Sequence, residues 1–137
     1  MSYEKPLPQV DADTAAFWEG CKRHQLLVQR CQRCHRYRFF PGPTCPHCNS
    51  GDLTWTKVSG RGKVYSWIVV TRNIHPAFAG EVPYVVAVVE LEEQEGLRIP
   101  GNLIDCDAGA IRGGMPVEVV FEDVTPGVTL PKWRPLP

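Results

Sequence analysis

Several things this chain lacks narrow its class. It has no apolar run longer than Tyr84–Val89, far short of the ~20 residues that cross a membrane as a helix, so no membrane partner is expected. Its first residues carry no apolar core of a secretory leader, so the cytoplasm is the expected compartment. Formal net charge is zero, which argues against a dedicated nucleic-acid binder. G-x-S-x-G, H-E-x-x-H and G-x-G-x-x-G patterns are missing, and nothing assembles a general acid with a base. The most telling lack is local. Residues 20–51 contain no Asp or Glu yet carry Lys22, Arg23, Arg30, Arg33, Arg36 and Arg38, so the remainder holds an equal acidic excess.

The same basic stretch holds the strongest pattern in the chain. Cys31-x-x-Cys34 and Cys45-x-x-Cys48 are two C-x2-C pairs, and together they can set four thiolates at the corners of a tetrahedron, with Zn–S distances of ~2.3 Å. Protein fills every corner. The predicted site is therefore structural zinc, with no position for water or substrate. Four thiolates around Zn2+ leave a charge of −2. Part of the basic excess can neutralise it, and the rest can face phosphates or an acidic partner. In a reducing compartment such clusters are more often metal ligands than disulfides. Cys21 and Cys106 stand alone among apolar residues and read as buried spectator thiols.

Two patterns overlap the knuckles. Cys31-Gln32-Arg33-Cys34-His35 matches a haem-attachment spacing, but covalent haem usually requires export. Cys45-Pro46-His47-Cys48 resembles a redox dithiol, but Asn49-Ser50-Gly51 follows where that chemistry needs a helix. His35 and His47 read as bystanders beside four cysteines. Ser59-Gly60-Arg61-Gly62-Lys63 lacks phosphate-loop spacing and reads as a joining turn. His75 reads as an exposed loop histidine.

At 137 residues the chain can bury one core or two very small ones. The reading along it is mainly β: an arm and helix over 1–25, a rubredoxin-like zinc ribbon over 26–59, and a five-stranded Greek-key OB barrel over 60–137 with a Pro-rich tail. Asp11 or Asp13 can cap a helix to about Arg23. Strands are predicted over Leu26–Val28, Tyr37–Phe40 and Leu53–Val58. The barrel strands are predicted over Gly62–Thr71, Tyr84–Leu91, Arg98–Ile104, Val117–Val124 and Val128–Trp133. In the first, Val64, Ile68 and Val70 are expected on one face and Tyr65, Trp67 and Val69 on the other. Tyr84–Leu91 is expected to be covered on both faces. Pro100-Gly101 marks an edge or a bulge. The loop Ile74, Pro76, Ala77, Phe78, Ala79 is unusually apolar. It is either a lid over the barrel or a contact for a partner or acyl chain, and Trp133 presents the same choice.

Read together, these residues resemble the thiolase-associated zinc-ribbon/OB-fold family, long a domain of unknown function. The resemblance runs from Phe17-Trp18-Glu19-Gly20 to the C-terminus. It includes Leu27-x-x-Arg30-Cys31-x-x-Cys34, Phe40-Pro41-x-x-x-Cys45-Pro46-x-Cys48, Ser59-Gly60-x-Gly62-x-Val64-Tyr65-Ser66, Pro76-Ala77-Phe78, Pro83-Tyr84-Val85-Val86 and Gly114-Met115-Pro116-Val117. It implies an accessory subunit, not catalytic alone, required by an acyl-CoA thiolase, thiolase-like aldolase or acyltransferase complex. The implied partner is a thiolase-fold enzyme subunit in a hetero-oligomer such as a heterotetramer. Ribbon and helix would dock on that enzyme, and the barrel would complete its acyl-CoA pocket. Phe78 and Tyr84 are the expected acyl or pantetheine contacts, and Arg36 and Arg38 the expected contacts for the phosphates of the CoA thioester. The competing class is a single-stranded nucleic-acid binder, since zinc ribbons and OB-folds often serve there.

Overall fold

The computed structural model describes residues 5–72 and 75–137. A short helix, α1 (Ala15–Lys22), precedes three ribbon strands: β1 (Leu27–Cys31), β2 (Tyr37–Arg38) and β3 (Leu53–Lys57). They pair antiparallel in the order β2-β1-β3. Five longer strands follow: β4 (Arg61–Val70), β5 (Tyr84–Leu91), β6 (Arg98–Leu103), β7 (Pro116–Thr125) and β8 (Val128–Pro135). They close a barrel in the order β4-β5-β6-β8-β7. The closing seam is narrow. β6 and β8 meet in parallel at Leu103 and Trp133, and Ile104 N–H donates to the Trp133 carbonyl at 2.8 Å.

The turn before α1 is fixed by Asp11, whose carboxylate accepts from the backbone N–H groups of Asp13 and Thr14 and from the Thr14 hydroxyl. Thr14 occupies the N-cap position itself. The helix lies close to β1. A Cβ on Gly20 would come within 2.7 Å of Leu27 Cγ, so only glycine permits the approach. Phe17 is buried and packs edge-on to Trp18 and tilted on Phe39. Phe17, Cys21, Leu26, Val28 and Val58 join the barrel residues Val64, Val89, Ile99, Val117 and Trp133 in one continuous core.

Two expectations about the barrel strands differ from the structure. A bulge at Tyr65 separates Val64, opposite Val89, from Ser66, opposite Val88. The extra residue reverses the inside-outside phase, so the faces expected for Val64, Ile68 and Val70 do not persist along β4. Val64 is buried while Ile68 is 62% exposed, and Trp67, across from buried Ala87, turns half inward. β5 is covered on both faces only at its end, where Val89, Glu90 and Leu91 are buried in succession; earlier, Val85 and Ala87 are buried while Tyr84, Val86 and Val88 on the other face are half-buried. Trp133 takes the buried alternative completely. Ile74 lies outside the described residues. Pro76–Phe78 forms a 3-10 turn, with Phe78 half-buried. No helix among the described residues is long and apolar enough to cross a membrane.

Candidate metal centre and neighbouring clefts

The two knuckles are built alike. Each opens with a cysteine at the end of a strand or turn and ends with a residue in the left-handed region, His35 at φ 64° and Asn49 at φ 62°. Their N–H groups return to the carbonyls of Cys31 and Cys45, both at 2.9 Å. Asparagine and histidine are enriched in this conformation among non-glycine residues. His35 therefore shapes the knuckle and is exposed, and His47 is exposed as well. Backbone N–H groups approach the sulfurs, Cys34 N to Cys31 Sγ and His47 N to Cys45 Sγ, each at 3.4 Å.

The four sulfurs of Cys31, Cys34, Cys45 and Cys48 all lie within 4.8 Å of one another. Cys31 and Cys48 are 3.5 Å apart, and Cys34 and Cys45 are 3.6 Å apart. Zinc at the centre of a regular sulfur tetrahedron requires edges of about 3.8 Å, so the cluster fits the ion. The electrostatics point the same way. The Cys34 N–H, with further hydrogen bonds, pulls the Cys31 thiol down to about 6 against the effect of burial. Cys48 is pushed up to about 11: the Ser50 N–H favours its thiolate, but burial and the three neighbouring thiols outweigh that. Four crowded sulfurs cannot all carry charge unless a cation shares it. The cluster fits a structural Zn2+, which these four cysteines would hold with every position taken by protein.

The expected ligand contacts fall into two groups lining different clefts. Arg36 and Arg38 line a groove of about 310 Å3 between ribbon and barrel, with Phe39, Phe40, His47 and Gln94. Arg38 is already engaged: Nε donates to the Phe40 carbonyl at 2.8 Å, and a terminal nitrogen donates to the Thr44 carbonyl. Arg36 is exposed. Tyr84 lines a separate cleft of about 470 Å3 with Asn102, Ile104, Cys106, Asp107 and Lys132. Phe78 leans on Tyr84 with ring centroids 5.7 Å apart, and Lys5 Nζ sits 5.4 Å from its ring. Cys106 is half-exposed in this cleft, against the expectation of a buried thiol, whereas Cys21 is wholly buried and burial raises its thiol to about 12. The sequence reading missed Asn102 and Lys132. They reach the cleft only because β6 and β8 come together.

A ribbon carrying a four-cysteine cluster, joined to a five-stranded closed barrel, is the domain pairing that comparison with known proteins also finds. The ChsH2 rubredoxin-like zinc ribbon family matches residues 18–54, and the ChsH2 C-terminal OB-fold family matches residues 55–122. The chain belongs to this ChsH2/DUF35 family. It is 38% identical over 110 residues to a DUF35 domain-containing scaffold protein of Methanocaldococcus jannaschii, covering 78% of this chain and 75% of that one. It is 44% identical over 131 residues to a probable enoyl-CoA hydratase alpha subunit of Thermomonospora curvata, covering 96% of this chain but 40% of the relative. The chain thus spans well under half the length of that hydratase subunit. Among solved structures it resembles a chain of the Ltp2-ChsH2(DUF35) aldolase with a TM-score of 0.85 and 43% identity, over 94% of this chain and 98% of that one.

Proposed function

We propose that this chain is a non-catalytic accessory subunit of an acyl-CoA-processing enzyme complex, docking on a thiolase-fold subunit and helping to hold the acyl-CoA. The observation that carries the reading is the likeness, over nearly the whole of both chains, to a chain of the Ltp2-ChsH2(DUF35) aldolase. The names of two further relatives, hydratase alpha subunits acting on CoA thioesters, point the same way. The cleft beside Tyr84 supports a role in ligand holding. It combines apolar walls at Val85, Leu103 and Ile104 with polar groups on Asn102 and Lys132, a mixture suited to the pantetheine or acyl part of a thioester. Arg36, exposed on the ribbon, is the available cation for a CoA phosphate; Arg38 would serve less well while it braces the Phe40–Thr44 loop.

Co-expression with a thiolase-fold enzyme tests the proposal. A stable complex that turns over an acyl-CoA, with either chain alone inactive, is the expected result. Turnover by the purified chain alone would defeat it, as would a salt-sensitive gel shift with single-stranded DNA or RNA and no enzyme complex. Calorimetry with CoA, on the chain and on the complex, tests the ligand contact separately; no heat in either removes that part.

A further inference from the structure

The cleft beside Tyr84 holds one side-chain amide, and a hydrogen bond fixes which of its ends is open. Asn102 Nδ2 donates to the Val85 carbonyl on β5 at 3.2 Å. A carbonyl accepts only from a donor, so the amide nitrogen must lie on that side and the oxygen on the other. Among the described residues nothing donates to Asn102 Oδ1, and the atom is not sealed from solvent. It is a hydrogen-bond acceptor at the cleft, its direction set by the backbone of the neighbouring strand.

Most of the charge around it is already paired. Lys132 is held by Glu122 on β7, and Glu81 by Lys5 of the N-terminal arm. Asp107, exposed at the rim, meets no cation among the described residues. The cleft thus offers acceptors and no spare cation, which discriminates among the parts of an acyl-CoA. A phosphate would face Asp107 with nothing to offset the repulsion. An acyl chain would cover Asn102 Oδ1 without giving it a donor, and a covered acceptor left unpaired is costly. A secondary amide brings an N–H to that oxygen while its flanking methylenes lie on Val85, Leu103 and Ile104.

We infer that this cleft takes the pantetheine segment of the thioester, with an amide N–H of that segment on Asn102 Oδ1, and leaves the phosphates and the acyl chain outside. That the ligand is a CoA thioester rests on the accessory-subunit reading; the acceptor geometry of the cleft does not.

Cys106 reports occupancy. It is half-exposed in the cleft, whereas Cys21 is wholly buried and the other four sulfurs form the cluster. Its alkylation by iodoacetamide, read by peptide mass mapping with zinc supplied, is followed on the chain and on its complex with a thiolase-fold enzyme. S-methyl-pantetheine should slow the reaction saturably, whereas ADP and hexanoate should not. Analogues in which each amide in turn becomes an ester keep the shape and lose one donor. One of them should bind about fivefold or more weakly. Asn102→Ala should weaken S-methyl-pantetheine and erase the difference between amide and ester, a coupling that disturbed folding alone would not produce.

Equal binding of the amide and every ester form would overturn the inference. So would protection by ADP or hexanoate as good as that by S-methyl-pantetheine, or no protection by S-methyl-pantetheine on the chain or on any complex that forms. An enzyme subunit that shields Cys106 by itself and admits no probe would overturn it too, since a loop of the partner would then fill the cleft. If the complex turns over an acyl-CoA while no probe protects Cys106, the cleft assignment falls and the accessory reading stands. If amide-selective protection appears but no thiolase-fold enzyme joins the chain, the cleft assignment stands and the accessory reading falls.

Discussion

The side-chain amide of Gln94, in the turn between β5 and β6, pairs with both backbone groups of Tyr37 on the ribbon. Tyr37 N–H donates to Oε1 at 2.8 Å, and Nε2 donates to the Tyr37 carbonyl at 2.9 Å. Gln94 thus stands in for a neighbouring strand on the open side of β2, which otherwise pairs only with β1. Beside it, Glu93 accepts from Ser59 N–H at 2.7 Å, at the joint between ribbon and barrel. A barrel turn therefore fixes the ribbon at two points.

Gln94→Ala removes both bonds to Tyr37 and leaves two backbone groups without their partner. The expected cost is about 1–3 kcal/mol. Urea unfolding should show it, and hydrogen exchange at Tyr37 should quicken while exchange in the centre of β5 does not. Unchanged protection at Tyr37 would mean that the pairing is incidental.

Zinc removal should act on one half of the molecule first. Structural zinc in small sites is worth ~10–16 kcal/mol, comparable to the ~5–15 kcal/mol net stability of a whole domain. Cys31→Ser or a strong chelator should unfold residues 26–58. Circular dichroism and hydrogen exchange that stay as they were without metal would contradict a structural role.

Asp123 sits at the far end of β7, where the Thr129 hydroxyl donates to Oδ1 at 2.6 Å and His24 Nε2 lies 3.0 Å away. The Thr129 bond, then His24, holds its carboxyl below the ordinary carboxylate value. A lowered folded value stabilises the fold above the unfolded pKa of ~3.9, and that contribution disappears as pH falls through the folded value. Thr129→Val should therefore raise the Asp123 pKa and lower the Tm at pH 7, with the difference from wild type closing in acid. Carboxyl NMR titration measures the first effect and calorimetry the second. An unmoved Asp123 titration would show that the Thr129 bond does not set it.

Trp133 and Gly101 are tightly fitted. A Cβ on Gly101 would lie 2.9 Å from both Trp133 Cδ1 and Nε1, with Trp133 wholly buried. Gly101→Val should cost about 1–3 kcal/mol by overpacking, and Trp133→Ala about 3–5 kcal/mol by leaving a cavity. The two costs should not add, since removing the indole makes room for the valine. Additive losses across this pair would show that Gly101 answers to something other than the indole.

Much of this architecture was legible locally. The cysteine spacing marked four sulfurs that the fold brings together, and the predicted barrel strands lie within a few residues of β4–β8. What escaped were features with no local signature. Tyr65 reads as one more alternating residue, and only pairing with β5 shows it to be extra. Gln94 reads as one polar turn residue among several until the ribbon lies against it. Arg38 reads as a free cation until the Phe40–Thr44 loop closes on its guanidinium.

The sequence by itself determined the four-cysteine cluster and the run of strands. Thiolate spacing, β-branched alternation and turn residues act over a few positions, and their physics is complete within them. Only the tertiary structure decided which surfaces are covered. The closing of the barrel at Trp133, the pinning of the ribbon by Gln94 and the fixing of Asn102 by Val85 depend on residues far apart in the chain. Burial is settled when distant segments meet, and no local pattern encodes that meeting.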